Sequence, residues 1–581
     1  MKYSGARILI ESLIKNGVDT IFGYPGGAIL NIYDELYRYK DRIRHILVSH
    51  EQHAAHAADG YARSSGKVGV CLATSGPGAT NLVTGIATAF VDSVPIVAIT
   101  GNVSLPLLGK DSFQEVDIAG ITMPIVKHNW IVEDVRNLAE IVHEAFFVAK
   151  SGRPGPVLID IPKDISSALC DYNESARETF VAMQRLQDAD GSAEKGERSR
   201  RLAGKTKRRT FSEADVEKAA SLINSSERPM LLAGGGVINS AACGEVRKLA
   251  ELLNAPVALS LMGMGAFPAA HPLCTGLIGM HGTVASNNAV QKTDLLIVTG
   301  ARFSDRVTSK AENFAHGAKI IHIDIDAAEI NKNITADAFV TGDLKLVLSS
   351  LIKKVHQREQ TEWNSEIDKW KGQTPKSKNR KTAPHPRFII QETAKALGEK
   401  AIAVTDVGQH QIWTAQFFPF RNPRSFLSSG GMGTMGFGMG AAVGAKIANP
   451  ESPVVLFTGD GCFRMNSAEM ATLVKYGLPV LIIIFNNRTL GMLRQWQNFF
   501  YKANYSETDL DNRGPDFIKL ADAFGVQGFR VMDESSFLEA LGKCAAILAL
   551  GRPVLIEAVI DKDEKVVPIV PAGKPVDEQI K

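Results

Sequence analysis

Short apolar runs that each give way to a helical pattern recur in three blocks along this chain, and no other feature restricts its fold so tightly. Up to about residue 162 the runs are "TIFGY", "HILVSH", "VGVCLAT", "PIVAITG" and "GPVLIDIP". They are continuously apolar, so both faces of each strand must be covered. That is the pattern of a parallel sheet between two layers of helices. The rhythm resumes from "FSEADVEKAASLI" with "PMLLAGGG", "PVALS", "LLIVTG" and "KIIHIDID", and again from about residue 387. A chain of 581 residues exceeds what one core can organise, since domains run to about 100–200 residues. The sequence therefore predicts an α/β protein of three doubly wound parallel-sheet domains, at 1–170, 211–355 and 387–560. Between them, 171–210 loses apolar periodicity and ends "GSAEKGERSRRLAGKTKRRT", which reads as a charged linker. A second polar link, 356–386, contains "KWKGQTPKSKNRKTAPHP", and the proline-bearing tail 561–581 reads as an extended segment laid over a surface.

Composition removes several functions. With 65 basic against 62 acidic residues the net charge is +3, which gives no electrostatic case for nucleic acid. Six cysteines without a CxxC pair argue against a disulfide framework or a zinc ribbon. The most apolar run, "PVLIIIF", falls far short of the ~20 residues of a membrane span, and the first residues show no charged-then-apolar leader. The expectation is a cytoplasmic enzyme with no membrane partner.

Two stretches carry chemistry. "HEQHAAHAADGYAR" sets His50, His53 and His56 at three-residue spacing on a helical pattern, beside Glu51. A zinc site is one reading and a half-buried Ala/His helix the other, but the stretch has no Cys, no HExxH order and no evident fourth ligand. A third possibility makes Glu51 the important residue. The glycine-rich "GMGTMG" matches GxGxxG yet follows a poor core strand, "RSFLSSG". More informative is "PVVLFTGDGCF", where an apolar strand delivers Asp460 to the carboxyl edge of a parallel sheet. One helix-and-strand unit of 24 residues, 462 to 485, leads to Asn486 and Asn487. Two neighbouring strand ends can then place Asp460 and Asn487 around one hard cation such as magnesium.

GDG followed at this distance by NN resembles the signature of thiamine-diphosphate enzymes. The resemblance is closest to the acetohydroxyacid synthase (acetolactate synthase) catalytic subunits, through "GYPGGA", "TSGPGATN", "DSFQEVDI", "GRPGPVLIDIPKD", "ARFSDRVT", "DVGQHQIW", "GGMGTMGFGMG" and "LGMLRQWQNFF". It implies a pyrimidine-binding domain, a central FAD-type domain and a diphosphate-binding domain. It implies that Glu51 hydrogen-bonds a pyrimidine nitrogen of the cofactor and drives an acid–base relay, chemistry that wants a carboxyl in a dry pocket. Pro25, Pro77 and Asn81 would line the pyrimidine side. Val407, Gly408, Gln409 and His410 would lie at the diphosphate, with Gly433 near them and Met435 under the bent cofactor. Gly459, Gly461, Met465, Gly491 and Met492 would complete that side. Asp460, Asn487 and the carbonyl of Thr489 would hold magnesium, and Phe113, Gln114 and Lys163 would reach the centre from a partner chain.

The reaction implied is decarboxylation of pyruvate and transfer of the two-carbon unit to a second 2-oxoacid. The product is 2-acetolactate from pyruvate or 2-aceto-2-hydroxybutyrate from 2-oxobutyrate, the committed step toward valine, leucine and isoleucine. Arg306 would clamp the acceptor's carboxylate and Trp496 would wall its side chain. A structural, non-redox FAD is implied through Arg153, Gly234, Gly235 and Gly236. His281, Gly282, Arg302, Asp324 and Asp343 would share that site. Ser304 and Gly440 depart from the family's usual Asp and Pro. Sites between subunits imply a homodimer or homotetramer, and a small regulatory subunit is usual in the family. The alternatives are a pyruvate oxidase-like thiamine/FAD enzyme and a non-catalytic assembly paralogue.

Overall fold

The computed structural model describes residues 2–172, 211–359, 361–373, 383–510 and 514–581, so nearly all of the predicted linker 171–210 lies outside the described residues. Three six-stranded sheets, parallel throughout, account for the architecture, as the continuous apolar runs require. The first is built from β1 (Thr20–Gly23), β2 (Arg44–Leu47), β3 (Gly69–Ala73), β4 (Ile96–Asn102), β5 (Asn129–Ile131) and β6 (Val157–Pro162). The second holds β7 (Pro229–Ala233), β8 (Val257–Leu259), β9 (Cys274–Leu277), β10 (Leu295–Thr299), β11 (Lys319–Asp324) and β12 (Ala338–Thr341). The third holds β13 (Ile402–Thr405), β14 (Phe426–Leu427), β15 (Val454–Gly459), β16 (Val480–Asn486), β17 (Gln527–Val531) and β18 (Val554–Val559). Strand β16 is buried along its whole length, as a central strand covered on both faces must be.

In space the first sheet runs β2-β1-β3-β4-β6-β5 and the third runs β14-β13-β15-β16-β18-β17, the same order. The central sheet runs β9-β8-β7-β10-β11-β12. That is the 3-2-1-4-5-6 winding of sheets that bind dinucleotides. Each sheet has one point where the winding reverses: between β1 and β3, between β7 and β10, and between β13 and β15. A crevice opens there at the carboxyl ends of the strands, and ligands of open α/β sheets bind in it.

Six helices matter below: α1 (Glu51–Ser65), α2 (Val83–Val91), α3 (Glu362–Lys371), α4 (Gly438–Ala448), α5 (Asp460–Asn466) and α6 (Gly491–Phe500). Helices α1 and α4 join the first and third sheets into a shared core. They can approach because small residues meet at the crossing. A Cβ on Gly444 would sit 1.9 Å from Ala57 O, and one on Gly440 would sit 2.8 Å from both His53 O and His56 Cβ. Overpacking such a site costs ~1–3 kcal/mol or more. The Gly440 departure therefore has a physical counterpart in a close helix contact.

The polar link 356–386 is not all link. Helix α3 lies within it and buries Trp363, Ile367 and Trp370, one face at i, i+4 and i+7, against the central domain. The tail returns to that domain as well. Val570 N donates to Met280 O at 2.8 Å, Asn287 Nδ2 donates to Val576 O at 2.8 Å, and Val566, Ile569, Val570 and Val576 are buried.

Candidate active site

Glu51 is brought to the first crevice by the start of α1. His50 caps α1 by accepting from Gln52 N, which makes Glu51 the first residue of the helix. Its Oε2 accepts from Asn81 Nδ2 at 2.9 Å, and its Oε1 stands so near Gly78 that a Cβ there would lie 3.3 Å away. Pro25 and Pro77 are exposed at the ends of β1 and β3, the latter opening the short helix that carries Asn81. Glu51 is half-buried, so its pocket within the single chain has one open side. Phe113 and Gln114 lie on the loop after β4, Gln114 in the left-handed region at φ 60° and packed against Gly76, where a Cβ would lie 2.9 Å from Gln114 O, and Phe113 with 88% of its surface exposed. Lys163 is exposed just beyond β6. None of these three packs against Glu51 in the interactions the structure shows.

The third crevice is built from carboxylates and amides. Asp460 leaves the end of β15 as the first residue of α5 and is almost completely buried, with Oδ2 lacking any hydrogen-bond partner. Burial pushes its carboxyl up to about 7. A buried oxygen in that state calls for a cation. Because Gly459 pairs with Phe485 across β15 and β16, Asn487 emerges beside it. Asn487 Nδ2 donates to Gln409 Oε1 at 3.1 Å, and its Oδ1 accepts from Thr489 N at 3.3 Å. The donor set of a carboxylate, an amide oxygen and the Thr489 carbonyl therefore fits a hard cation.

Val407, Gly408, Gln409 and His410 follow β13 on the other side of the crevice. His410 is held neutral by burial, its pKa pushed down to about 3, and its Nε2 is buried without a partner, as suits a phosphate oxygen brought alongside. Gly433 and Met435 lie on the loop before α4, Gly433 at φ 68°. A Cβ on Gly461 would meet Leu490 Cδ2 at 2.8 Å and approach Met435 Cε, so these residues share one wall. One on Gly491 would strike Gln409 Oε1. Met492 is partly buried behind that wall, and Met465 is exposed on 58% of its surface.

Asp406 organises this crevice, and the sequence reading does not single it out. Fully buried at the end of β13, it accepts from Gly436 N at 2.9 Å, Gly438 N at 3.0 Å, Thr458 Oγ1 at 2.9 Å and Asn466 Nδ2 at 3.1 Å. Burial raises its pKa and these four donors oppose that rise. The only sequence signal is an aspartate between an apolar strand and Gly408.

The tail contacts Gln409, Gln495 and Met280, next to others of the predicted residues. Gln409 Nε2 donates to Gln495 Oε1 at 3.0 Å and to Glu564 O at 2.8 Å, while Gln495 exchanges two bonds with the backbone of Val566. Trp496, next to Gln495, packs on Phe500 with ring centroids 5.0 Å apart. Arg306 O accepts from Met280 N, the residue whose own carbonyl receives Val570 of the tail. Arg306 is mostly exposed, 3.7 Å from Asp305.

In the central crevice a Cβ on Gly234 or Gly236 would strike Gly300, so β7 and β10 end in closely apposed bare backbone. Arg302 has its pKa lowered by burial and then by the like charge of Arg153, which itself pairs with Glu329 at 2.8 Å. Asp324 is pushed up to about 6 by burial. His281 has a buried, unpartnered Nδ1, and Gly282 O accepts from Gln579 of the tail. Asp343 caps the following helix by accepting from Leu346 N.

The three histidines have separate roles. His50 caps α1, His53 Nδ1 lies 2.9 Å from Glu469 Oε1, and His56 is buried against Phe437 and held neutral at about 3. Among the described residues no group of three or more His, Cys, Asp or Glu side chains is placed to hold a metal, and no helix is long and apolar enough to cross a membrane.

Comparison with known proteins matches one family model to each of the three sheet-bearing regions. Residues 3–121 match the thiamine pyrophosphate enzyme N-terminal TPP binding domain, 216–351 the central domain and 406–558 the C-terminal TPP binding domain. The chain is 45% identical to an acetolactate synthase of Mycobacterium leprae, over 99% of this chain and 90% of that one. It is 47% identical to an acetolactate synthase large subunit of Parasynechococcus marenigrum, over 98% and 90%. It is 46% identical to a probable acetolactate synthase large subunit of Methanocaldococcus jannaschii, over 98% and 94%.

Proposed function

Because the chain belongs to the acetolactate synthase large subunits, within the thiamine pyrophosphate enzymes, we propose that its first crevice holds the pyrimidine end of one thiamine diphosphate, its third crevice the diphosphate end of another, each cofactor being shared with a second copy, and that its central crevice holds FAD. The observation that carries this reading is the buried, unpartnered Oδ2 of Asp460 beside Asn487. With the Thr489 carbonyl they would bind magnesium, whose remaining ligands are phosphate oxygens. Thiamine diphosphate supplies, when bound, an electron sink for decarboxylating pyruvate and joining its two-carbon unit to a second 2-oxoacid.

The chain's own residues do the rest. Glu51 exchanges a proton with the pyrimidine ring while Asn81 fixes its carboxylate. His410 and the backbone at Gly408 and Gly433 receive the diphosphate. Arg306 clamps the acceptor's carboxylate with its guanidinium fork. Trp496 offers an apolar wall that favours 2-oxobutyrate over pyruvate as acceptor.

The centre is completed by a second copy of the chain, so that Phe113, Gln114 and Lys163 act in the partner's site. Support comes from Phe113, 88% exposed, and Met465, 58% exposed, apolar side chains that a facing subunit would cover. The large-subunit names of the relatives argue for a small regulatory partner. FAD is favoured by the 3-2-1-4-5-6 order of the central sheet and by the partly buried guanidinium of Arg302 beside the like charge of Arg153, which an anionic dinucleotide would relieve. Six cysteines, all unpaired, suit a reducing cytoplasm.

The test is pyruvate turnover with thiamine diphosphate, magnesium and FAD under nitrogen. The expected product is 2-acetolactate, one carbon dioxide released for every two pyruvates consumed. Acetate or acetyl phosphate, formed only with an electron acceptor, would contradict this reading and favour the oxidase.

A further inference from the structure

Neither half of the carboligation moves electrons to or from a flavin, so a flavin in the central crevice must act through the protein. Three consecutive residues at the end of α2 touch both sides of such a route. Val91 O accepts from Arg302 Nη1 at 2.8 Å, and Ser93 Oγ accepts from Arg153 Nε at 2.7 Å. Between them Asp92, its side chain wholly buried, accepts from Gly430 N at 3.0 Å and from Gly431 N at 2.8 Å. The Asp92 carboxylate is also paired with Arg63 at 3.0 Å, and Arg63 is itself anchored by Asp59 and by Ser428 O.

Gly430 and Gly431 open the loop that carries Gly433 and Met435. One turn back on α2, the Thr88 and Thr434 hydroxyls lie 2.7 Å apart, a second pin on the same loop. The approach is close enough to need glycine: a Cβ on Gly431 would sit 2.3 Å from Val91 Cγ1, 2.9 Å from Asp92 Oδ1 and 3.4 Å from Arg302 Nη2. Ser93 turns the chain in the left-handed region at φ 60°, so the Val91–Ser93 corner is tightly specified.

We propose that Asp92 is a positioning residue through which FAD held by Arg153 and Arg302 sets the Gly430–Met435 loop, so that FAD binding raises the affinity for thiamine diphosphate. The proposal rests on the FAD reading of the central crevice. An anion settling on the two guanidiniums fixes their rotamers, and these hold Val91 O and Ser93 Oγ. The corner then presents both Asp92 oxygens to consecutive loop amides. Linkage makes the effect reciprocal: thiamine diphosphate must tighten FAD by the same factor.

The test is a double titration of the full-length protein stripped of both cofactors. The thiamine diphosphate Kd is read by tryptophan fluorescence at fixed magnesium, with and without saturating FAD, and the FAD Kd is read from flavin fluorescence. In the unmodified protein FAD should lower the thiamine diphosphate Kd by at least roughly fivefold, within the usual range of allosteric coupling, and in Asp92→Asn by less than about twofold. Asp92 makes no hydrogen bond to either FAD-binding arginine but its charge acts on Arg302, so the FAD Kd itself, measured without thiamine diphosphate, should weaken by no more than about threefold.

Should Asp92→Asn fail to fold, Ser93→Ala removes only the Arg153 hydroxyl contact, and the coupling should weaken there too. FAD that binds the unmodified protein without shifting the thiamine diphosphate Kd would overturn the proposal. So would coupling of unchanged size in a folded Asp92→Asn or Ser93→Ala. If FAD does not bind at all, the FAD reading falls, and this proposal with it.

Discussion

The first and third sheets share one strand order, yet their crevices have almost nothing chemical in common. The first presents the exposed Pro25 and Pro77 and the Glu51 carboxylate brought in by the start of α1. The third presents Asp406, Asp460 and Asn487, two carboxylates and an amide delivered by the strand ends themselves. The winding fixes where a ligand sits, and the few residues after each strand decide what chemistry is done there. On this account the first crevice moves a proton and the third anchors charge.

Replacing the carboxylate of each crevice should produce two different kinds of failure. Glu51→Gln should lower kcat by roughly 10²- to 10⁴-fold, the contribution of a positioned acid–base group. Thiamine diphosphate affinity, measured by fluorescence titration, should change little. Near-normal turnover in Glu51→Gln would remove Glu51 from the chemistry.

Asp460→Ala should do the reverse, raising the magnesium and thiamine diphosphate concentrations for half-maximal activity by at least about tenfold while kcat at saturation falls less, because a charged ligand is lost. An unchanged magnesium requirement would take Asp460 out of the cation site.

A smaller effect lies at the rim. Trp496→Leu should reduce the preference for 2-oxobutyrate over pyruvate by roughly tenfold, as expected for one methylene in an apolar pocket. Acetolactate formation from pyruvate alone should be largely kept. A competition assay with an unchanged product ratio would refute the role given to the indole.

The least effect expected concerns a buried carboxyl in the first sheet. Asp160 receives Thr100 Oγ1 and Asn102 Nδ2, each at 2.6 Å, yet burial still pushes it up to about 6. Its folded pKa is thus above the ordinary carboxylate value, and the native state binds the extra proton between those two values. Stability should fall as pH rises from about 4 to about 6. Asp160→Asn should flatten that part of the melting-temperature profile; an unaltered slope would assign it to other groups.

Much of this was legible in the sequence, for a physical reason. Strands covered on both faces are continuous apolar runs, so the three sheets could be read directly, and Asp460 and Asn487 stand at the ends of two such runs. What could not be read depends on partners far away in the chain. Helix α3 shows only three apolar residues in a polar stretch, and its Trp363 finds its hydrogen-bond acceptor at Pro229 O, 3.3 Å away and more than a hundred residues earlier. Asp406 gathers donors from 436, 438, 458 and 466, and no local pattern marks a residue whose importance is set by convergence. Zinc at His50, His53 and His56 was open from spacing alone. In the structure His53 Nδ1 faces Glu469 Oε1 at 2.9 Å, a partner from a distant part of the chain that the spacing could not reveal.

In the proposed assembly the proton-moving crevice of one copy faces the charge-anchoring crevice of another. Mixing separately purified Glu51→Gln and Asp460→Ala proteins, dissociating them and letting them reassociate, tests this most directly. If the centre lies between subunits, each mixed pair holds one site with both residues intact, and turnover should reappear above that of either variant alone. If Glu51 and Asp460 of the same chain serve one centre, every site in the mixture carries a lesion, and no recovery would be seen.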